Sequence, residues 1–364
     1  MKFPPKKRGS NAKRHWRVPT VLLVAVIFSF RCTPYNRGKG ALAVVGAGVV
    51  NNASNKSLRF DILKFTLKQF CRELTTIGTP LRLTDDQPVI GRYFAQECES
   101  TSLEDLADEK IIVRFSGRGY VWTSATGRIG FEAPGLIELA PDFRVFEDAL
   151  HVYFRPTLID TTGFRLIGVE SKLSEAAIAV SGVDEAELGA RIIAAQLNRG
   201  FTAIRYDDGY TDFSLGLVGA GEVPFRPFAI SHAAHASIAN GRTEIAPATT
   251  DLLGAFAVEK GEEIVLSLHL EGAESVEVSI VSAQAGERLL DGYITSGASY
   301  RLPSGELVAT SHLQREQPLQ LRKTVPTGEY FVVFRYPVPS SPISEPLANL
   351  PARIDYLLQV GPAL

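Results

Sequence analysis

Between Leu58 and Leu74 the apolar positions Phe60, Leu63, Leu67, Phe70, Cys71 and Leu74 recur at helical spacing, while Arg59, Lys64, Lys68 and Arg72 occupy the other side. This spacing predicts an amphipathic helix that ends before Gly78 and Pro80. From about Val89 to Leu166 the pattern changes to strand-like runs: Ile111 to Phe115, Tyr120 to Thr123, Arg128 to Phe131 and His151 to Phe154. Gly117-Arg118-Gly119 and Ala125-Thr126-Gly127 separate these runs, and both are expected to be hairpin turns of an antiparallel sheet. A second helix is expected after Asp184, with Glu187 three residues on, apolar Leu188, Ile192 and Ile193, and Gly200 as its stop. Alternating strands follow at Phe201 to Arg205 and Phe213 to Val218.

Beyond Pro227 no helical period is expected, and short strands alternate with turns: Gly254 to Val258, Ile264 to Leu270, Val276 to Ile280, Tyr330 to Phe334 and Ile354 to Val360. The fold class expected is an α+β first domain over residues 57–227, with two helices on an antiparallel sheet, followed by an all-β sandwich domain over 228–364. Two domains also suit a chain of 364 residues.

The first 56 residues obey neither pattern. Lys2, Lys6, Lys7, Arg8, Lys13, Arg14 and Arg17 precede the apolar run Val18 to Phe30, which is too short for a bilayer-spanning helix of roughly 20 residues. Residues 1–31 are therefore expected to be a signal peptide, with an uncleaved signal anchor as the alternative, and the Gly, Ala and Asn-rich stretch 32–56 a tether. Within that stretch Gly46 to Asn51 half-resembles a dinucleotide-binding turn, but Asn51 replaces the third glycine, and a linker or first strand accounts for it better. Removing the leader takes the net charge from −2 to about −9, which excludes electrostatic binding of nucleic acid.

Three cysteines bear on the same question. Cys32 directly follows the apolar run, where a bacterial lipoprotein carries its acylated cysteine, and the segment resembles a lipobox except that Ser29, Phe30 and Arg31 stand where Leu and small residues belong. Lipidation of Cys32 is one reading and a signal anchor the other. In an oxidising compartment Cys71 and Cys98 are expected to pair, closing a loop of about 28 residues, with two separate buried thiols as the alternative.

The C-terminal part resembles the pre-peptidase C-terminal type of β-sandwich module through Gly254-Ala255-Phe256, Lys260-Gly261-Glu262 and Pro326-Thr327-Gly328-Glu329-Tyr330. That resemblance implies an accessory, non-catalytic unit. The whole arrangement, with Leu58-Arg59-Phe60-Asp61-Ile62-Leu63-Lys64-Phe65 after the tether, is similar to uncharacterised exported lipoproteins of Gram-negative bacteria, which implies a cell-envelope address.

Candidate chemistry is sparse. The nucleophile elbow Gly-x-Ser-x-Gly is absent. His151 in an apolar strand and His269 read as structural, His312 falls in a polar loop, and no catalytic residue is assigned. His232 and His235 form His-x-x-His, but Ala233 and Ala234 replace the metalloprotease glutamate, and an interdomain linker accounts for them equally well. No metal and no cofactor are expected. Asp207, Asp208, Gly209 and Asp212 suggest a hairpin turn rather than a calcium loop, which needs further oxygen ligands. Asp85-Asp86 and Glu262-Glu263 sit in loops. Tyr120, Trp122, Phe131, Phe143, Phe146, Tyr153 and Phe154 are expected to be mainly a packed sheet face rather than a ligand groove. The function expected is that of a non-enzymatic envelope protein binding a partner protein, a lipid or a glycan, membrane-attached by lipid or signal anchor. The alternative is an envelope hydrolase with its site in the first domain.

Overall fold

The structure is a computed structural model that describes residues 46–52, 54–82, 88–102, 110–123, 127–146, 149–170, 185–206, 211–230, 235–296, 304–337 and 350–363. It is mostly β, built from antiparallel sheets. Among the described residues three long helices accompany them, α1 (Lys56–Thr76), α2 (Glu185–Asn198) and α3 (Ala283–Ser296), and residues 46–50 form a further helical turn where a linker or first strand is expected.

In the first half, β1 (Thr79–Leu81), β2 (Gly91–Ser102), β3 (Ile111–Thr123), β5 (Gly135–Phe146), β6 (Ala149–Asp160), β8 (Phe201–Tyr206) and β9 (Thr211–Leu215) lie side by side in that order. The short strands β4 (Gly127–Glu132) and β7 (Arg165–Val169) branch from β3 and complete a nine-stranded, curled sheet. Strand alternation sends Tyr93, Val113, Phe115, Phe131, Phe143, Val152, Phe154 and Phe201 to one face, where they form a core with Leu58, Leu63 and Phe70 of α1. The predicted helical stripe is thus the face that packs. Arg59 departs from its expected outward position, because its guanidinium lies 4.5 Å from the Phe143 ring centroid and donates to the Val50 carbonyl at 3.1 Å. Val50 itself is buried in this core, so packing reaches back into the segment read as tether. Cys71 of α1 and Cys98 of β2 form the expected disulfide, which fastens the helix to the sheet.

The second half contains two four-stranded antiparallel sheets. One runs β10 (Ala236–Ile245), β17 (Ala352–Pro362), β12 (Glu262–Glu271), β15 (Leu319–Thr324); the other runs β11 (Thr250–Val258), β16 (Gly328–Arg335), β13 (Ser275–Ser282), β14 (Leu307–Gln314). Ile264, Leu266, Leu268 and Leu270 of β12, Leu358 of β17, Val276, Val278 and Ile280 of β13, and Val332 and Phe334 of β16 share one core. All five strands expected here are present.

Several expectations fail. His312 and Glu262-Glu263, expected in loops, lie in β14 and at the start of β12, where each pairs with a neighbouring strand. Gly117-Arg118-Gly119 is no hairpin turn: it lies inside β3, a strand of 13 residues. The glycines admit close strand approach, since a Cβ at Gly117 would stand 2.2 Å from the Phe94 carbonyl oxygen and one at Gly119 2.5 Å from that of Arg92. Nor is the second half free of helix. In α3 the Ser282 hydroxyl accepts the Ala285 N–H at 3.4 Å, and Leu289, Leu290, Tyr293 and Ile294 bury one helical face. Gly286 and Gly292 disguise this period as turn chemistry.

Candidate functional site

The outer face of the nine-stranded sheet is where polar chemistry gathers. Arg92, Phe94, Arg118, Tyr120 and Arg128 alternate with the core residues of β2, β3 and β4, and they meet α3 and β11 of the second half. Phe94 and Tyr120 join Leu252, Val281, Ala285, Leu289, Leu290, Tyr293, Ile294 and Phe331 in a third core that spans this seam.

Three arginines enter the seam, each in a different state. Arg92 is 0 % exposed; its Nε and Nη2 donate to both carboxylate oxygens of Asp251 at 3.0 and 2.8 Å, and its Nη1 to the Gly78 carbonyl at 2.9 Å. Asp251 also accepts from the Tyr120 hydroxyl at 2.5 Å and the Thr243 hydroxyl at 2.7 Å, and Tyr120 in turn accepts the Leu252 N–H at 3.1 Å. Burial alone would push the Asp251 carboxyl up, yet the Arg92 charge and the donated hydrogen bonds hold it below the usual carboxylate range. The same group raises Arg92, where burial pulls downward and Asp251 overcomes it, and burial with the Asp251 charge raises the Tyr120 hydroxyl well above its ordinary value. Arg118, nearer the surface, is paired with Glu287 at 2.6 Å and with Asp291, both on α3.

Arg128 has no such partner. It is 1 % exposed, and none of its three guanidinium nitrogens makes a hydrogen bond. Its guanidinium lies 4.6 Å from the Tyr293 ring centroid, and Tyr293 meets Tyr120 edge-on at 4.8 Å. The carboxylate beside it, Glu170, accepts the backbone N–H of Arg128 at 2.8 Å rather than the side chain. Burial lowers the guanidinium's proton affinity, with Tyr293 and Glu170 opposing.

The residues singled out in the sequence fall as follows. Cys32, His232, Asp207, Asp208, Gly209, Asp85 and Asp86 lie outside the described residues. His151 is buried in β6 with Nδ1 unpartnered, and burial pushes its proton affinity down. Its cross-strand neighbours are Arg144 and Ile204, so no carboxylate orients it from either adjacent strand. Asp212 is buried against Arg226, which also donates to the Phe213 carbonyl at 2.9 Å; burial pushes this carboxyl up and Arg226 opposes it. His235 Nε2 stands 3.3 Å from Glu263 Oε1, near enough for charge attraction but without hydrogen-bond alignment, and the same oxygen accepts from Arg322 Nη1 at 2.9 Å. Among the described residues no three His, Cys, Asp or Glu side chains converge as a metal site. Of the aromatics, Tyr120, Phe131, Phe143, Tyr153 and Phe154 are buried, as expected of a packed face, while Phe146 is exposed.

Phe146 belongs to a second feature. The segment 216–230 follows β9 and holds Leu217, Val223 and Phe225 in solvent, the last two 70 % and 59 % exposed, with Gly221 against the Phe146 ring. Arg226 pins this segment to β9, and the Arg242 guanidinium, 5.0 Å from the Phe225 ring centroid, pins it to β10. Nothing in the local sequence marked either this exposed run or the Arg92 to Asp251 pair.

No protein-family model matches the chain, and no curated protein matches it. Among solved structures, a glycoside hydrolase family 43 arabinoxylan arabinofuranohydrolase from Bacillus subtilis, in complex with cellotetraose, is 9% identical with a TM-score of 0.20, covering 72% of this chain and 79% of the other. The structure of infectious bursal disease virus, Gx strain, is 10% identical with a TM-score of 0.17, covering 77% and 81%. Likenesses of this size carry no argument about function. Among the described residues no helix is long and apolar enough to cross a membrane.

Proposed function

We propose that this chain is a non-enzymatic binding or structural protein of the bacterial cell envelope, exported by its N-terminal segment and held at the membrane through Cys32 or an uncleaved signal anchor. Its two units are an α+β body over 57–227 and a β-sandwich over 228–364, the latter an accessory module of the pre-peptidase C-terminal type, in an exported lipoprotein of Gram-negative kind. The observation that carries the binding or structural reading is the seam: Asp251 of the second half is buried with Arg92 and Tyr120 of the first, so the sandwich sits flush on the sheet. The export reading is supported by the Cys71–Cys98 disulfide, a bond that oxidising compartments maintain. A partner protein, lipid or glycan is bound through the surface where Leu217, Val223 and Phe225 of one short segment stand exposed together with Phe146.

The test is expression of the full chain in a Gram-negative host, with membrane fractionation and intact mass beside a Cys32→Ser variant. Acyl mass that disappears with the substitution supports the lipid anchor; unprocessed Met1 in the membrane fraction supports the signal anchor. Full-length protein in the cytosol with both Cys71 and Cys98 reduced overturns the address. For the binding surface, Val223→Ser with Phe225→Ser should lose crosslinks to envelope components at unchanged melting temperature, and unchanged crosslinking rejects that surface.

A further inference from the structure

The three arginines of the seam pose an asymmetry. Arg92 meets a bidentate carboxylate, Arg118 meets two carboxylates, and Arg128, buried nearly as fully as Arg92, meets none. A guanidinium removed from water loses the hydration of five N–H donors, and proteins compensate with acceptors aimed at its fork. Here the compensation is a single aromatic face: the Tyr293 ring attracts the cation but accepts none of its N–H groups in their plane.

No internal acceptor meets this fork. Glu170 turns one oxygen, Oε2, to the Arg128 backbone N–H and acts on the guanidinium through its charge alone. The last carbonyls of α3 are turned elsewhere: those of Ile294 and Thr295 press against Gly130 and Gly168, the neighbouring positions of β4 and β7. The Tyr293 hydroxyl accepts the Thr250 N–H at 3.3 Å. Location matters equally. Arg128 is the second residue of β4, beside Gly127 at the start of the strand, and β4 leads only to the edge strand β7. Here Arg128 and Glu170 exchange hydrogen bonds, Arg128 N–H to Glu170 Oε2 at 2.8 Å and Glu170 N–H to the Arg128 carbonyl at 2.9 Å, so an anion reaches the fork by opening this short end.

We propose that Arg128 is a receptor for a ligand oxyanion, a carboxylate or phosphate group that enters at the β4 end of the seam and takes the bidentate position that Asp251 takes on Arg92. The planar fork matches either anion, and the Tyr293 ring fixes the plane in which it is offered. The ligand closes the ribbon end against α3, coupling binding to the junction of the two halves. This assignment does not depend on the envelope reading.

The experiment is thermal unfolding of the full chain titrated with sodium acetate in one arm and sodium phosphate in the other, each against sodium chloride at matched ionic strength. The wild type should show a saturable rise of about 2 °C at tenfold excess over half-saturation. Response to acetate alone assigns a carboxylate ligand, and response to phosphate alone a phosphate. Arg128→Met, which keeps the volume and removes the charge, should abolish the rise, whereas Arg288→Gln at the exposed Arg288–Glu306 pair should retain it. Should the Met variant fail to fold, Arg128→Lys replaces it: a point charge without the fork should shift half-saturation to higher concentration. Equilibrium dialysis of labelled phosphate and acetate should give one site per chain. A wild type indifferent to both anions at tens of millimolar, or a variant responding as the wild type does, overturns the proposal.

Discussion

Arg92 and Asp251 stand 159 residues apart in sequence and form a two-pronged ion pair, 3.0 and 2.8 Å, from which water is excluded on all sides. Removing one partner leaves the other as a buried, uncompensated charge. Asp251→Asn or Arg92→Met should each lower stability by about 3–5 kcal/mol, measured by urea denaturation. The double variant Arg92→Met with Asp251→Leu should cost clearly less than the two singles combined, because neither charge is then stranded. Additive losses would show that the pair does not act as a unit.

The pH dependence of this group has a defined sign. Asp251 is held below its ordinary value in the folded chain, so its contribution is fully present above the unfolded carboxyl range, about pH 4, and drains away as pH falls through the folded value. Tyr293, pushed up to about 12 mainly by burial, keeps its proton in the fold while the unfolded chain ionises near pH 10. Stability should therefore also decline between about pH 10 and 12. Denaturation midpoints across pH should show both limbs, and Tyr293→Phe should make the alkaline one shallower, with Tyr120 and Tyr93, also raised by burial, supplying the remainder.

Reduction of Cys71–Cys98 removes the covalent link between α1 and β2 and leaves the helix held by its core contacts through Leu58, Leu63 and Phe70. The loss expected is about 3 kcal/mol for a loop of this length, read as a drop in melting temperature with reductant. A Cys71→Ala, Cys98→Ala chain should be insensitive to reductant. Finding free thiols in protein prepared without reductant would remove the basis of this expectation.

Gly130→Ala tests the packing of α3 on β4. The added Cβ would lie 2.0 Å from the Ile294 carbonyl oxygen, a backbone atom that cannot swing aside. A loss of about 1–3 kcal/mol is expected in chemical denaturation. Gly305→Ala, where an added Cβ meets nothing, should be neutral or slightly stabilising because alanine lowers the entropy of the unfolded chain; a loss of the same size there would reject the steric account.

What the sequence disclosed follows from how far apart the interacting residues lie. The stripe through Leu63 and Phe70 is local, and it marks the buried face of α1 correctly. The cysteine pair was legible only through the export reading, which takes Cys32 out of a count of three and leaves Cys71 and Cys98 to each other. Gly117 and Gly119 misled because a glycine serving close strand approach looks the same as one serving a turn, and only the partner strand distinguishes them. In α3 the glycines Gly286 and Gly292 masked a helical period that Leu289, Leu290, Tyr293 and Ile294 do carry. The seam was illegible: Arg92, Tyr120, Arg128 and Asp251 lie singly in strand-like runs far apart in sequence, and their meaning arises where two sheets meet. Likewise nothing in the sequence singles out Val223 and Phe225, and only the fold leaves them outside.

The placement of Asp251 also bears on how the chain can be divided. A fragment ending near residue 227 would carry Phe94, Tyr120 and Arg92 on a bare sheet face, and the complementary fragment would carry Asp251, Leu252 and the apolar side of α3 with nothing to cover them. Each fragment would present the sticky, mispairing surface that drives aggregation during synthesis. The boundary that composition suggests at Pro227 is thus a change of architecture along the chain and a poor place to cut it.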